Sequence, residues 1–138
     1  MAGNASDYLE GLIRGHLLRT ATWSKPAALW VSLHTEDPYD DATGSEVSGG
    51  AYGRTQLNPD DANWSAEDAV GGESKNLVAV TFPAPVGANW GLITYFGLWT
   101  ASTSGSLYLR GAVYPPLQVN DGDNAPQFPV GALSIIVG

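Results

Sequence analysis

Apolar residues in this chain recur mostly at every second position, and that period predicts strands rather than helices. The richest stretch is 89–131. Within it, residues 89–101 and 106–114 hold more of the large apolar side chains than any other part of the chain, and the loop between them, Ser102-Thr103-Ser104-Gly105, has hairpin composition. Pro115-Pro116 is expected to end the second run before residues 117–123. Residues 27–35 also alternate, with Leu29, Val31 and Leu33 on one face and Trp30, Ser32 and His34 on the other. Residues 76–82 predict a strand that turns Val78, Val80 and Phe82 to one side and stops at Pro83 and Pro85. Residues 132–137 are apolar enough for a central or covered strand, and a short strand is expected near 51–57, where Tyr52, Arg54 and Gln56 alternate with smaller residues.

One segment changes period. In residues 5–19, Leu9, Leu12, Ile13, His16 and Leu17 recur at three- and four-residue steps, which predicts a helix with one apolar stripe. Asp7 is a candidate cap, with Glu10 three residues on in capping-box spacing. Gly11 and Gly15 each weaken such a helix by about 1 kcal/mol and, four apart, allow a neighbour to come close. The stripe either packs on the chain's own sheet or docks onto a partner or neighbouring subunit.

These elements predict an all-β fold: an antiparallel β-sandwich or jelly-roll-like barrel of about eight strands with one N-terminal α-helix. Trp99, Phe96, Leu98, Leu107, Leu109, Val80, Phe82, Leu29, Val31, Leu33 and Ile135 are the expected core. At 138 residues the chain reads as a single β domain, 1–138, and a chain of this size can bury about 68% of its unfolded surface. Its 17 glycines and 9 prolines suit many short strands joined by turns. Residues 36–76 form a long acidic loop region holding ten of the fourteen acids. Surface loops of this kind are where such domains meet partners.

Charge and composition narrow the function. A net charge of −8, with Arg14, Arg19, Lys25, Arg54, Lys75 and Arg110 scattered, argues against a nucleic-acid partner, because phosphate binding needs clustered Lys and Arg. No run approaches the length of a membrane span, and the N-terminus lacks the basic and apolar regions of a signal peptide, so cytosolic synthesis and no membrane partner are expected. With no cysteine there are no disulfides, thiolate zinc sites or cysteine nucleophiles. The two histidines, His16 and His34, sit in no zinc motif, and no Gly-x-Ser-x-Gly elbow, P-loop or dinucleotide fingerprint is present. The acidic clusters Asp37, Asp40, Asp41 and Asp121, Asp123 fit turn chemistry better than calcium. The five tryptophans fit core or interface better than a sugar platform. No enzyme, cofactor, metal or small-molecule ligand is therefore expected.

Three segments resemble a family of small tailed-bacteriophage virion proteins. Residues 30–38, Trp-Val-Ser-Leu-His-Thr-Glu-Asp-Pro, are similar to its strand followed by T-x-D-P. Residues 46–54 resemble its E-V-S-G-G-x-Y-x-R segment, and residues 90–99 its W-G-x-I-T-x-x-G-[IL]-[FW] strand. The N-terminal helix and the C-terminal end with Gly122-Asp123 and Phe128 are similar too, so the resemblance spans almost the whole chain. The acidic insert around 58–72 departs from the pattern. Members are labelled tail-fibre proteins, and some small proteins of this kind decorate capsids.

The resemblance implies a structural virion protein assembled in the host bacterial cytoplasm. A compact domain with no shaft or repeat suits a capsid cement or decoration protein, acting as a homotrimer that binds the major capsid protein or other virion proteins and stabilises the shell by linkage. The alternative is a tail-fibre or tail-tip domain that binds host-surface glycans. Leu9, Leu12, Ile13 and Leu17 on the helix, and Asp37, Tyr39, Tyr52, Arg54 and Trp64 in the acidic loops, are the expected partner or oligomer contacts.

Overall fold

The computed structural model describes residues 2–68 and 71–136. Val137, part of the expected last strand, and Ala69-Val70 of the acidic insert lie outside the described residues. The strands are β1 (Ala2–Ala5), β2 (Trp30–His34), β3 (Thr55–Gln56), β4 (Ser74–Lys75), β5 (Val80–Thr81), β6 (Gly91–Trp99), β7 (Leu107–Val119), β8 (Gln127–Phe128) and β9 (Ser134–Ile135), with one helix, α1 (Asp7–Leu18). Seven strands form one sheet in the order β3-β2-β6-β7-β1-β9-β4, and β5 and β8 form a separate two-stranded ribbon. All pairings are antiparallel except β1 with β9. The fold is all-β with one N-terminal helix, as expected, and its two layers are unequal.

The β6–β7 hairpin is the centre of the sheet, and its period sorts the side chains. Val31, Leu98 and Leu109 lie in register across β2, β6 and β7, as do Leu33 and Phe96 in the next row of the same face. Val31, Leu33, Phe96 and Leu98 are all within 2% of complete burial. The ribbon covers this face: the Phe128 ring sits 6.2 Å from that of Phe96 and 5.9 Å, edge-on, from that of Phe82. Ser32, Gly97 and Arg110 occupy the opposite face in register.

Three local expectations are corrected. Pro115-Pro116 does not end the strand, because β7 continues to Val119. Register passes from Ile93↔Leu117 to Tyr95↔Ala112, so residues 113–116 bulge out opposite Thr94. The prolines, which have no N–H to donate, sit where the ladder is already interrupted. The strand expected at 76–82 is only Val80–Thr81, and Leu77 and Val78 are exposed. Asn76 is instead buried, and its side chain joins this segment to the C-terminal end of the chain. Its amide donates to the carbonyls of Val78 (2.9 Å) and Pro129 (3.0 Å), and its Oδ1 accepts from Leu133 N–H (2.9 Å). The segment near 51–57 contributes only Thr55–Gln56.

The helix cap is Ser6, not Asp7. The Ser6 hydroxyl accepts from Leu9 N–H at 3.2 Å and donates to the Leu107 carbonyl, which ties the helix start to β7. Asp7 and Glu10 fall in the first turn, where negative charge suits the helix dipole. Tethering is possible because Ala2–Ala5 forms β1 beside β7, an element that its Ala-Gly-Asn-Ala composition did not predict. Leu9 is buried, and Leu12 and Ile13 pack partly against the core. Beyond Ile13 the stripe loses its cover: His16 is exposed, and Leu17 and Leu18 are 73% and 78% exposed. Of the two helical glycines, only Gly15 meets a close neighbour, Ala21 of the returning chain.

Most of the expected core residues are buried, with Leu29 and Ile135 packed at its edge. Ile93, Val113, Val119, Phe128 and Leu133 join them.

Candidate functional site

The residues of the 46–54 and 90–99 segments meet in one polar clamp on the face opposite the ribbon. Arg54 grips Glu46 with two bonds, Nε to Oε1 at 2.8 Å and Nη2 to Oε2 at 2.7 Å. Its Nη1 donates to the carbonyls of Ala101 (2.7 Å) and Ser104 (2.9 Å) in the hairpin loop. Tyr52 donates its hydroxyl proton to Glu46 Oε1 (2.7 Å), and the Tyr52 hydroxyl oxygen accepts from Leu33 N–H (3.0 Å) on β2. Gly49 and Gly50 both take positive φ, and the Gly50 carbonyl accepts the Trp90 indole N–H at 2.8 Å. The Tyr52 ring meets Trp90 edge-on at 5.3 Å.

Trp99 completes the clamp. The Arg54 guanidinium lies 4.0 Å from its ring centroid, and its indole N–H donates to Ser32 Oγ at 2.7 Å. Ser32 Oγ is also 2.7 Å from His34 Nε2, and the His34 ring stacks on Trp99. Gly97 makes room for this meeting, because a Cβ there would fall 2.7 Å from Ser32 Oγ and 2.9 Å from Trp99 Nε1. A Ser–His pair this close has the outline of a nucleophile and base. Both residues are fully buried, however, and Ser32 Oγ already accepts the indole proton, so the pair faces no substrate surface.

Burial sets the charge states. It pushes the His34 pKa down, opposed by Glu46 and reinforced by Arg54, to about 4, so the ring is neutral at pH 7. Burial pushes the Glu46 carboxyl up, but the hydrogen bonds from Arg54 and Tyr52 and the Arg54 charge outweigh it, and the net shift is downward. Burial and the adjacent Glu46 carboxylate raise Tyr52 strongly, so it stays a donor.

The acidic clusters hold loops. Arg110 lies 3.1 Å from Asp37 and 2.9 Å from Asp40, pinning the 37–41 turn to β7. Asp121 accepts from Gly87 N–H and Asp123 from Asn120 N–H.

The outer surface offers shapes suited to contact. A groove of about 620 Å³ opens between the 59–66 segment and the sheet. Its floor is Leu98, Leu109 and Ile135, one wall is Trp64, and Asp60 and Asp61 stand on its rim. Elsewhere, the bulge end of the hairpin exposes Tyr114 (83%), Leu92 and Leu117. The helix end exposes Leu17 and Leu18.

The nine expected contact residues thus separate. Leu9, Leu12 and Ile13 face the chain's own core, Arg54 and Tyr52 belong to the clamp, and Asp37 is paired with Arg110. Leu17 and Tyr39 are exposed, and Trp64 lines the groove. Ser32, His34 and Trp99 join the clamp across 67 residues of chain, and nothing in local spacing points to that.

A β-rich domain whose motif residues lock its own sheet and whose surface carries apolar contact features fits a structural protein of a phage virion. The family described as Podophage GP4 fiber I protein gp80 matches residues 4–136, and the chain belongs to it. This bears out the resemblance to small tailed-phage virion proteins and makes the chain a fibre-type structural protein. No curated protein matches the chain.

Proposed function

We propose that this chain is a fibre subunit of a podophage-like particle, working as a homotrimer through contact surfaces and without turnover. The observation that carries the proposal is the pair Leu17 and Leu18, side by side at the end of α1 and about three-quarters exposed. A contiguous apolar tip is a feature that contact with another chain would cover. The fibre description of the matching family supports the attachment site, and the sealed Ser32–His34 pair supports the absence of catalysis. Other virion proteins are the partners, and assembly takes place in the host cytoplasm.

Capsid cement is the competing role for the same compact domain. Imaging of the intact particle separates the two. Density for this chain in appendages at the tail is the expected result; density at threefold or quasi-threefold positions of the head would replace the fibre role with cement. A glycan-binding role would fall to the exposed tyrosines, Tyr8, Tyr39 and Tyr114, because Trp90 and Trp99 are buried and the other three tryptophans are partly so.

A further inference from the structure

We propose that the exposed end of α1 in one copy seats in the groove beside Trp64 of the next copy, a head-to-tail contact that rests on the homotrimer reading above. The tip and the groove match in chemistry. The tip presents Leu17 and Leu18 with Arg14 before them and Arg19 after them. The groove presents an apolar floor of Leu98, Leu109 and Ile135 under a rim of Asp60 and Asp61.

The charges are available for such a contact. Arg19 makes no ion pair among the described residues, and Arg14 reaches only Glu10, at 3.6 Å on the surface. Asp61 is exposed and makes no side-chain hydrogen bond or ion pair among the described residues. Asp60 makes no ion pair among the described residues, and its Oδ1 accepts from Ala62 and Asn63 N–H.

The groove is also held open by its own bonds. Ser65 N–H donates to the Lys75 carbonyl at 2.8 Å and Leu77 N–H to the Asn63 carbonyl at 2.7 Å, fixing the Trp64 wall. Lys25 Nζ donates to the Pro59 carbonyl at 2.8 Å, fixing the rim. A preformed groove loses little conformational freedom on being filled. Tip and groove are different surfaces, so the contact is heterologous and closes into a ring when the rotation between copies allows it. Three copies make such a ring.

Light scattering on the purified full chain tests this. Leu17→Asp with Leu18→Asp removes the tip, and Ala66→Trp fills the groove; cooperative urea unfolding of each variant shows that the fold survives, while its midpoint is expected to fall with the lost assembly. The wild type is expected at the mass of three 14.5 kDa chains, each variant alone at one, and their equimolar mixture at two, because one intact tip then meets one intact groove. If Ala66→Trp no longer unfolds cooperatively, Asp61→Arg replaces it, and adding Arg19→Asp to the same chain is expected to restore the trimer. Variants that stay trimeric, or that fail to pair when mixed, overturn this contact and leave the homotrimer standing. A wild type that stays monomeric across the concentration range overturns both.

Discussion

The guanidinium of Arg54 lies 4.0 Å from the ring centroid of Trp99 while it holds both carboxylate oxygens of Glu46. That stack joins three parts of the chain that share no local sequence: the 46–54 loop, strand β6 and, through Trp99, Ser32 on β2. The segments that carry the family resemblance therefore specify how the sheet is locked.

Removing Arg54 tests the lock. Arg54→Ala leaves Glu46 partly buried without its cation and opens two carbonyls in the hairpin loop, so a loss of about 3 kcal/mol is expected in urea unfolding. Arg54→Lys keeps the charge but not the bidentate fork, and is expected to recover only part of that loss. A change in Arg54→Ala as small as that of a surface substitution would show that the clamp is not stabilising.

Gly97→Ala makes a separate prediction on the same clamp. The added methyl would collide with Ser32 Oγ, Leu107 Cδ1 and Trp99 Nε1, all within 2.9 Å of its ideal position. Overpacking together with loss of the indole bond should remove about 3 kcal/mol. In proton NMR the Trp99 indole N–H resonance is expected to move, with that of Trp90 held in place by Gly50.

How far the sequence carries depends on the range of the interaction that decides each element. The hairpin was legible because Phe96, Leu98, Leu107 and Leu109 alternate over long runs. The helix was legible in period, but its cap was not: Ser6 and Asp7 are both good capping residues, and the choice falls to Ser6 because its hydroxyl also reaches Leu107, about a hundred residues away. Strand β1 was invisible because Ala-Gly-Asn-Ala gains its strand form from pairing with β7 and β9. The helix stripe left packing and docking both open; the structure covers it only as far as Ile13, so of the contact candidates Leu9, Leu12, Ile13 and Leu17 only Leu17 stays exposed. For the clamp, the sequence displayed Glu46, Tyr52 and Arg54 as a motif, but their work depends on Trp99 and Ser32, which only the folded register brings to them.

Asn76 offers a third test of long-range bonding. Its side chain satisfies two carbonyls and one N–H, on Val78, Pro129 and Leu133. Asn76→Ala removes all three bonds and leaves the Leu133 N–H and the Val78 carbonyl without this partner, while the Pro129 carbonyl keeps the Ala132 N–H; a loss of about 3 kcal/mol of stability is expected. Asn76→Asp, equal in size, is expected to do no better at pH 7, because one carboxylate oxygen can still accept from Leu133 but the other stands against both carbonyls where the amide nitrogen donated. Hydrogen exchange should speed up first at Leu133 and Gly131, whose N–H groups bond to Asn76.

Acid should weaken the fold, and His34 sets where the loss begins. In the unfolded chain His34 takes a proton near pH 6.5, whereas in the folded chain burial, partly opposed by Glu46 and Asp37 and reinforced by Arg54, delays that proton to about pH 4. Above pH 6.5 both states are neutral and His34 adds no pH dependence. Between 6.5 and 4 the unfolded state binds a proton that the folded state refuses, so stability falls as pH falls, by about 1.4 kcal/mol per unit and about 3 kcal/mol in all. The Glu46 pKa is also lowered by folding; its contribution is present above the ordinary carboxylate value of 4.5 and is lost as pH drops through the lowered one, so it continues the decline on the acid side. Urea unfolding followed from neutral pH down to 4 should show the first loss in the histidine window. His34→Gln, which cannot take a proton, should flatten that window while keeping the steeper fall at lower pH. Equal slopes in the two proteins between 6.5 and 4 would assign the acid sensitivity to carboxylates alone and remove the buried histidine from it.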